Sequence, residues 1–272
     1  MKKKIEEQNR GDDFCEHFST SIWKETPSEE NPYHTENAHC HGYNHLDLIN
    51  GRNFSEVIFL IFKGELPTAE QTRLFDRLLV TLIHPGPRHP ACRAAMSAAT
   101  SKTHVGHILP LALNVLGGEH NGSHEVYRCM KFILQKQHSP AEQVAKKLIL
   151  AVNDSADTEG DITITPGFGS LFGSADQYTS VLAHNLMKAH QTPALSWCDS
   201  LLQTISAERP EIGWRITGIA AAALCDLGFS PYQGELCYQI ASLPGIAAQA
   251  AEKSDAELTA MPFLPEDRYV IE

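Results

Sequence analysis

Apolar residues recur three and four apart along most of the chain, and this spacing predicts helices. In FSEVIFLIFKGELPTAEQTRLFDRLLVTLIHPG, 54–86, Phe54, Val57, Ile58, Leu60 and Ile61 mark one helix, and Leu74, Leu78 and Leu82 mark the next. Gly64 suits a left-handed exit from the first, Pro67 and Thr68 open the second, and Pro85-Gly86 ends it. The pattern continues as helices near 90–102, 104–117, 125–137, 141–154, 175–190, 193–207, 212–227, 231–242 and 244–253, with Pro110 bending or interrupting the one at 104–117. ITITPGFG, 162–169, reads as a short strand leading into a glycine turn. The first forty residues are polar and read as an extended arm with little core of its own. No segment repeats at a period of 20 to 50 residues, so a solenoid is excluded and the class is mainly α.

Composition narrows the function classes. The chain has 272 residues, 42% hydrophobic and 20% charged, which is ordinary for a globular protein of one large or two smaller domains. Net charge is −11, and the one basic run, Lys2-Lys3-Lys4, is a solvated tail, so no nucleic-acid partner is expected. No apolar run reaches about eighteen residues, so no membrane span is expected. No apolar stretch follows the basic start, so it is not read as a secretory signal. Seven scattered cysteines without a CxxC pair argue against a disulfide framework or a zinc ribbon, and the expected compartment is the cytoplasm.

Several stretches resemble one family. GYNHLDLINGRNFSEVIFLIFKGELPT, 42–68, is similar to the segment of the citrate synthase superfamily in which a turn leads to a helix ending in GELP. GGEHNGSHEV, 117–126, resembles its GPLHGGA turn, and TPGFGS, 165–170, its GFGH loop. ITGIAAAALCDLGFSP, 216–231, and IASLPGIAAQAAE, 240–252, resemble two later helices of that family. The matches run in order over about 40–255, and the spacing and the ending MPFLPEDRYVIE look most like the citryl-CoA lyase branch, including the lyase-like module of ATP-citrate lyase.

The resemblance implies an all-α, two-domain helical fold and a homodimer, with the active site in a cleft. It divides the chain into an arm at 1–37, a large domain from 38–123 and 244–272, and a small domain at 124–243. It implies an acyl-CoA, a coenzyme A thioester, as substrate, joined to or split from a keto acid such as oxaloacetate, with no metal. That chemistry needs a carboxylate base beside the thioester α-carbon, a donor at the developing enolate oxygen, and arginines that fork onto the keto acid's carboxylates.

Set against those needs, the matched positions are mixed. His120 falls where the family has its enolate-stabilising histidine, in a turn of small residues that lets a substrate approach the backbone. His84, in LIHPGP, falls on a histidine that helps hold the keto acid. Pro166, Gly167, Phe168 and Gly169 fall on the loop that meets the CoA thioester. The histidine that ends that loop is Ser170 here, a shorter donor that is never cationic. The family's catalytic aspartate is Thr217, which is no general base near neutral pH, and the arginine of its ARTPG stretch is Ser242. No arginine follows the glycine loop in LFGSADQ. Asp176, Glu119 and Asp226 are candidate replacements for the base, with Asp226 the better match to a helix-end partner; Glu119 could also act on His120 through its charge. Arg268, in PEDRYV, is a candidate to be donated to a partner subunit, whether a second copy or an active paralogue. Two functions therefore stand open: an enzyme with a divergent site, or a non-catalytic paralogue that binds CoA thioesters or serves as a subunit of a homologous enzyme.

Other clusters carry less. His34, His39, Cys40, His41 and His45 are zinc-type ligands, and His39 and His41 would share a face of a strand, but no second pair completes a finger. His104 and His107 lie three apart on a predicted helix, and Trp197 and Trp214 are expected in the core.

Overall fold

The computed structural model describes residues 17–152, 161–189, 191–262 and 264–270. The predicted arm start at 1–16 and the tail of the helix expected at 141–154 lie outside the described residues. The chain divides into two compact units, Met1–Leu66 and Pro67–Glu272.

In the first unit, strands β1 (Trp23–Pro27), β2 (Thr35–Cys40) and β3 (Tyr43–Asn44) form an antiparallel sheet in that order. The polar arm is thus paired from residue 23 onward, although β1 buries none of its five residues. Helices α1 (His45–Gly51) and α2 (Phe54–Lys63) follow, and Cys40, Leu48 and Leu60 make a small core. Glu56 accepts from the Asn53 amide at the start of α2, and Gly64 leaves it at φ 81, the left-handed exit expected of that glycine. His41 has φ 45 and lies in the turn after β2, so it does not share a strand face with His39; its Nε2 donates to the Ile61 carbonyl instead. Among the described residues no three His, Cys, Asp or Glu side chains gather as a metal site requires.

The second unit is built around one apolar helix. It runs through α3 (Ala69–Leu82), α4 (Pro90–Thr100), α5 (Val105–Leu116), α6 (Ser123–Lys136) and α7 (Ala141–Val152). Strands β4 (Ile162–Thr165) and β5 (Phe168–Ser170) lead to α8 (Gln177–Met187) and α9 (Pro193–Glu208). Strand β6 (Gly213–Trp214), α10 (Ile216–Asp226) and α11 (Pro231–Glu252) complete it. In α10 every residue from Thr217 to Leu224 is buried, as a helix apolar on all sides must be. It packs against α3, α6, α8, α9 and α11. Strands β4, β5 and β6 form a second antiparallel sheet, so the reading of 162–169 as strand and turn holds, and 213–214 adds a strand where a helix was expected to begin.

Two prolines stand inside helices. Pro110 sits inside α5, which continues without interruption. Two helices were expected at 231–242 and 244–253, yet α11 runs unbroken for 22 residues with Pro244 inside it. A proline costs a helix one amide donor and crowds the preceding turn. Here the next amide, Gly245 N, leaves the ladder as well and donates to Ile83 O at 2.9 Å, so the disturbed turn is held from outside. Asp226 is the helix-end partner its motif implied, for its carboxylate accepts from the Ala194 and Leu195 amides at the start of α9. Trp214 is core, whereas Trp197 is half-buried and donates to Ser139 O. His104 caps α5 by accepting from Gly106 N, with its ring 5.9 Å from that of His107. No helix among the described residues is long and apolar enough to cross a membrane.

Candidate functional site

The motifs singled out in the sequence meet through their glycines. Gly167, at φ 84, lies against Gly218, so a Cβ on Gly167 would stand 2.6 Å from Gly218 Cα and from Cys129 Sγ. A Cβ on Gly218 would in turn strike the Gly167 carbonyl. This brings the TPGFGS loop onto the start of α10. At the other end of the site a Cβ on Gly245 would stand 2.6 Å from His84 Cα, so the LPG of α11 seats the LIHPG turn. These glycines serve close approach between backbones of the protein itself.

One buried carboxylate ties the turns together. Glu125, 2% exposed, accepts from Asn121 N (2.9 Å), from Gly167 N (3.0 Å) and from Arg215 NH1 (3.1 Å). Arg215, 3% exposed, also donates to Asp161 and to Ile162 O. His89 donates from Nε2 to Asn121 O at 2.9 Å, so the GGEHNG turn is held from both sides, with Asn121 left-handed at φ 55. Sequence reasoning missed Glu125, for which the available signal was a charge beside the apolar positions Val126, Cys129 and Ile133. Arg215, its partner ninety positions away, had no such signal.

Between these elements lies a cavity of about 940 Å³, wholly within the second unit. Ser170, Ser242, His84, Gly169 and Asn121 line it, together with Tyr238, which sequence reasoning missed. Ser170 is buried and its hydroxyl donates to Ser174 O at 3.0 Å. Both ring nitrogens of His84 are engaged: Nδ1 accepts from Gly86 N at 2.8 Å, which puts the proton on Nε2, and Nε2 donates to Gln249 Oε1. Tyr238 is 1% exposed, and burial first, then the charge of Glu125, pushes its phenol up, so it remains a neutral donor.

Most of the remaining candidates lie apart from the lining. Thr217 is fully buried in the first turn of α10, with a hydroxyl that has no hydrogen-bond partner. His120 stands largely in solvent, its Nδ1 3.9 Å from Asp161 Oδ2. Glu119 pairs with Arg128 at the surface, and Arg268 lies exposed in a short 3-10 turn. Asp176 lines the cavity but caps α8, accepting from Tyr178 N. Within the proposed CoA loop, Pro166 stands at the turn, Phe168 is fully buried against Trp214, and the Gly167 amide is spent on Glu125. Burial pushes the thiols of Cys225 and Cys237 up to about 12, and those of Cys129 and Cys198 rise with them, so these four offer no thiolate nucleophile near neutral pH.

No protein-family model matches the sequence, and no curated protein matches it. Solved structures do. Citryl-CoA lyase from Hydrogenobacter thermophilus is 21% identical, with 94% of each chain covered and a TM-score of 0.73. ATP citrate lyase from Methanosaeta concilii, solved in complex with (3S)-citryl-CoA, is 14% identical at a TM-score of 0.73; the match covers 94% of this chain but 41% of that one. Citrate synthase from Thermotoga maritima is 16% identical at a TM-score of 0.61, over 80% of this chain and 59% of the other. At these identities the likeness establishes architecture, and it agrees with the motifs: the chain has the fold of the citrate synthase superfamily, matched along nearly the whole length of a citryl-CoA lyase.

Proposed function

We propose that the chain binds a CoA thioester in the 940 Å³ cavity of its second unit and does not cleave citryl-CoA at an enzyme's ordinary rate. The observation that carries this reading is the state of Thr217. At the position where the resemblance implies a carboxylate base there is a hydroxyl, fully buried and outside the cavity lining. A threonine hydroxyl takes no proton from a thioester α-carbon near neutral pH. The motifs that build the cavity walls are retained around it, and the ATP citrate lyase of the same fold was solved with citryl-CoA bound. In this reading the chain is a homodimer or the partner of an active paralogue in the cytoplasm, and the large and small domains divide at 123/124 and 243/244.

Calorimetric titration with CoA, acetyl-CoA and oxaloacetate tests it. A CoA ligand is expected to bind, and citryl-CoA cleavage is expected well below about 1 s⁻¹, the lower end of ordinary turnover. Absence of CoA binding would remove the proposal.

A second reading, a working enzyme with a relocated base, draws on one observation: the Asp161 carboxylate lies 3.9 Å from His120. Loss of a measurable thioester turnover in Asp161→Asn, with CoA binding kept, would favour it.

A further inference from the structure

We propose that the second ligand of this cavity is an uncharged carbonyl compound with an apolar substituent, its oxygen received by the hydroxyls of Tyr238 and Ser242. The inference rests on the cavity being a ligand site and names what stands beside the thioester there.

Tyr238 and Ser242 are four apart on α11 and therefore share one face of it. Both line the cavity, and both are 1% exposed. Neither hydroxyl has a hydrogen-bond partner among the described residues. Neither oxygen is among the buried atoms left unsatisfied, so both hydroxyls are open to the cavity, where a ligand oxygen can take the place of water. The position where the resemblance implies an arginine, Ser242, thus offers a short neutral donor with a second neutral donor one turn away.

The charges of the lining argue against a dicarboxylate. Its cations are Arg77 and Arg215. Arg215 is engaged by Glu125 and Asp161, and Arg77 lies exposed, donating to Asn185 O. Two carboxylates, Asp76 and Asp176, share the same lining. A dianion entering here would meet two like charges against one cation without a carboxylate partner, the exposed Arg77, where specific dicarboxylate sites supply a cation for each charge. The walls instead present Val80, Leu171, Phe172, Val181 and Ile216. Phe172 is 83% exposed, a large apolar surface that a ligand's hydrocarbon part would cover.

Three probes of related shape separate the possibilities: 4-methyl-2-pentanone, 4-methyl-2-oxopentanoate and oxaloacetate, which carry zero, one and two carboxylates. Saturation-transfer NMR and calorimetry on the full chain are expected to rank them in that order, with about tenfold or more between the ketone and the oxo acid. Tyr238→Phe keeps the ring and removes the hydroxyl; it is expected to weaken the ketone about fivefold, and Ser242→Ala by a comparable factor, as each removes one hydrogen bond. Thermal midpoints within a few degrees of the wild type confirm that both variants fold. Tightest binding of oxaloacetate, no binding of the ketone, or ketone affinity unchanged in both variants would each overturn the proposal. CoA titrated in the same experiment keeps the two readings apart. CoA binding with a preference for the dianion would sink this inference alone. Ketone binding without CoA binding would sink the thioester reading and leave this one standing.

Discussion

The packed frame behind the cavity and the cavity's lining differ in what they tolerate. In the frame Gly167, Gly218 and Gly245, none of which lines the cavity, bring backbones so close that a Cβ would collide. In the lining, Tyr238, Ser242 and Ser170 present side chains to the open space. Positions of the first kind are dictated by the fold, because no side chain can replace the missing one. Positions of the second kind are dictated by the ligand and are free to change with it. The matched stretches keep their glycines, whereas two positions at which the sequence departs from the motifs, Ser170 and Ser242, are side chains of the lining.

The comparison breaks most visibly at Glu125. Glu125→Ala leaves Arg215 charged, buried and short of a partner, and is expected to cost about 3–5 kcal/mol in denaturant unfolding. A loss under about 1 kcal/mol would mean that the turns do not depend on this carboxylate. Gly167→Ala comes next. It forces an alanine to φ 84 and against Cys129, and should cost about 1–3 kcal/mol before any packing shift. Ser170→Ala, on the open side, removes a hydrogen bond to Ser174 O and is expected to cost about 1 kcal/mol in the same assay. If it cost more than Gly167→Ala, the division into backbone-dictated and ligand-dictated positions would collapse.

Asp226 gives a pH signature outside the cavity. Burial raises its pKa to about 6, against the two amide hydrogen bonds that pull it down. The folded chain therefore holds a proton that the unfolded chain, with a carboxylate near 4, has already lost. The stability this contributes is complete below about pH 4 and is lost as pH rises through about 6. Denaturant midpoints measured from pH 4 to 7 should fall across this window in the wild type, and the Asp226 contribution should vanish in Asp226→Asn. The smallest effect is expected at the surface: Glu119→Gln breaks an exposed pair with Arg128 and should change stability by less than about 1 kcal/mol.

Much of the fold was legible locally. Gly64 marked a helix exit and Thr68 a helix start because both act within one turn of themselves. The continuity of 231–252 as one helix was not, since the turn after Pro244 is held by a carbonyl at Ile83, far away in sequence. The site divides in the same way. His84, Ser170 and Ser242 were found because they sit in recognisable stretches, and the structure brings them to one cavity. Tyr238 went unnoticed because an aromatic residue on an apolar helix face looks like core until the cavity beside it is seen. Arg215 was hidden for a similar reason: its role depends on Glu125 and Asp161, which only the fold brings near.

The Glu125 carboxylate also has a meaning for how the molecule breathes. Its oxygens hold the amides of Asn121 and Gly167, which belong to turns more than forty residues apart. Neither turn can lift away while that carboxylate stays in place. Local opening is therefore coupled: deuterium should enter both amides through one shared event, with matching protection, and the two turns behave as one cooperative unit.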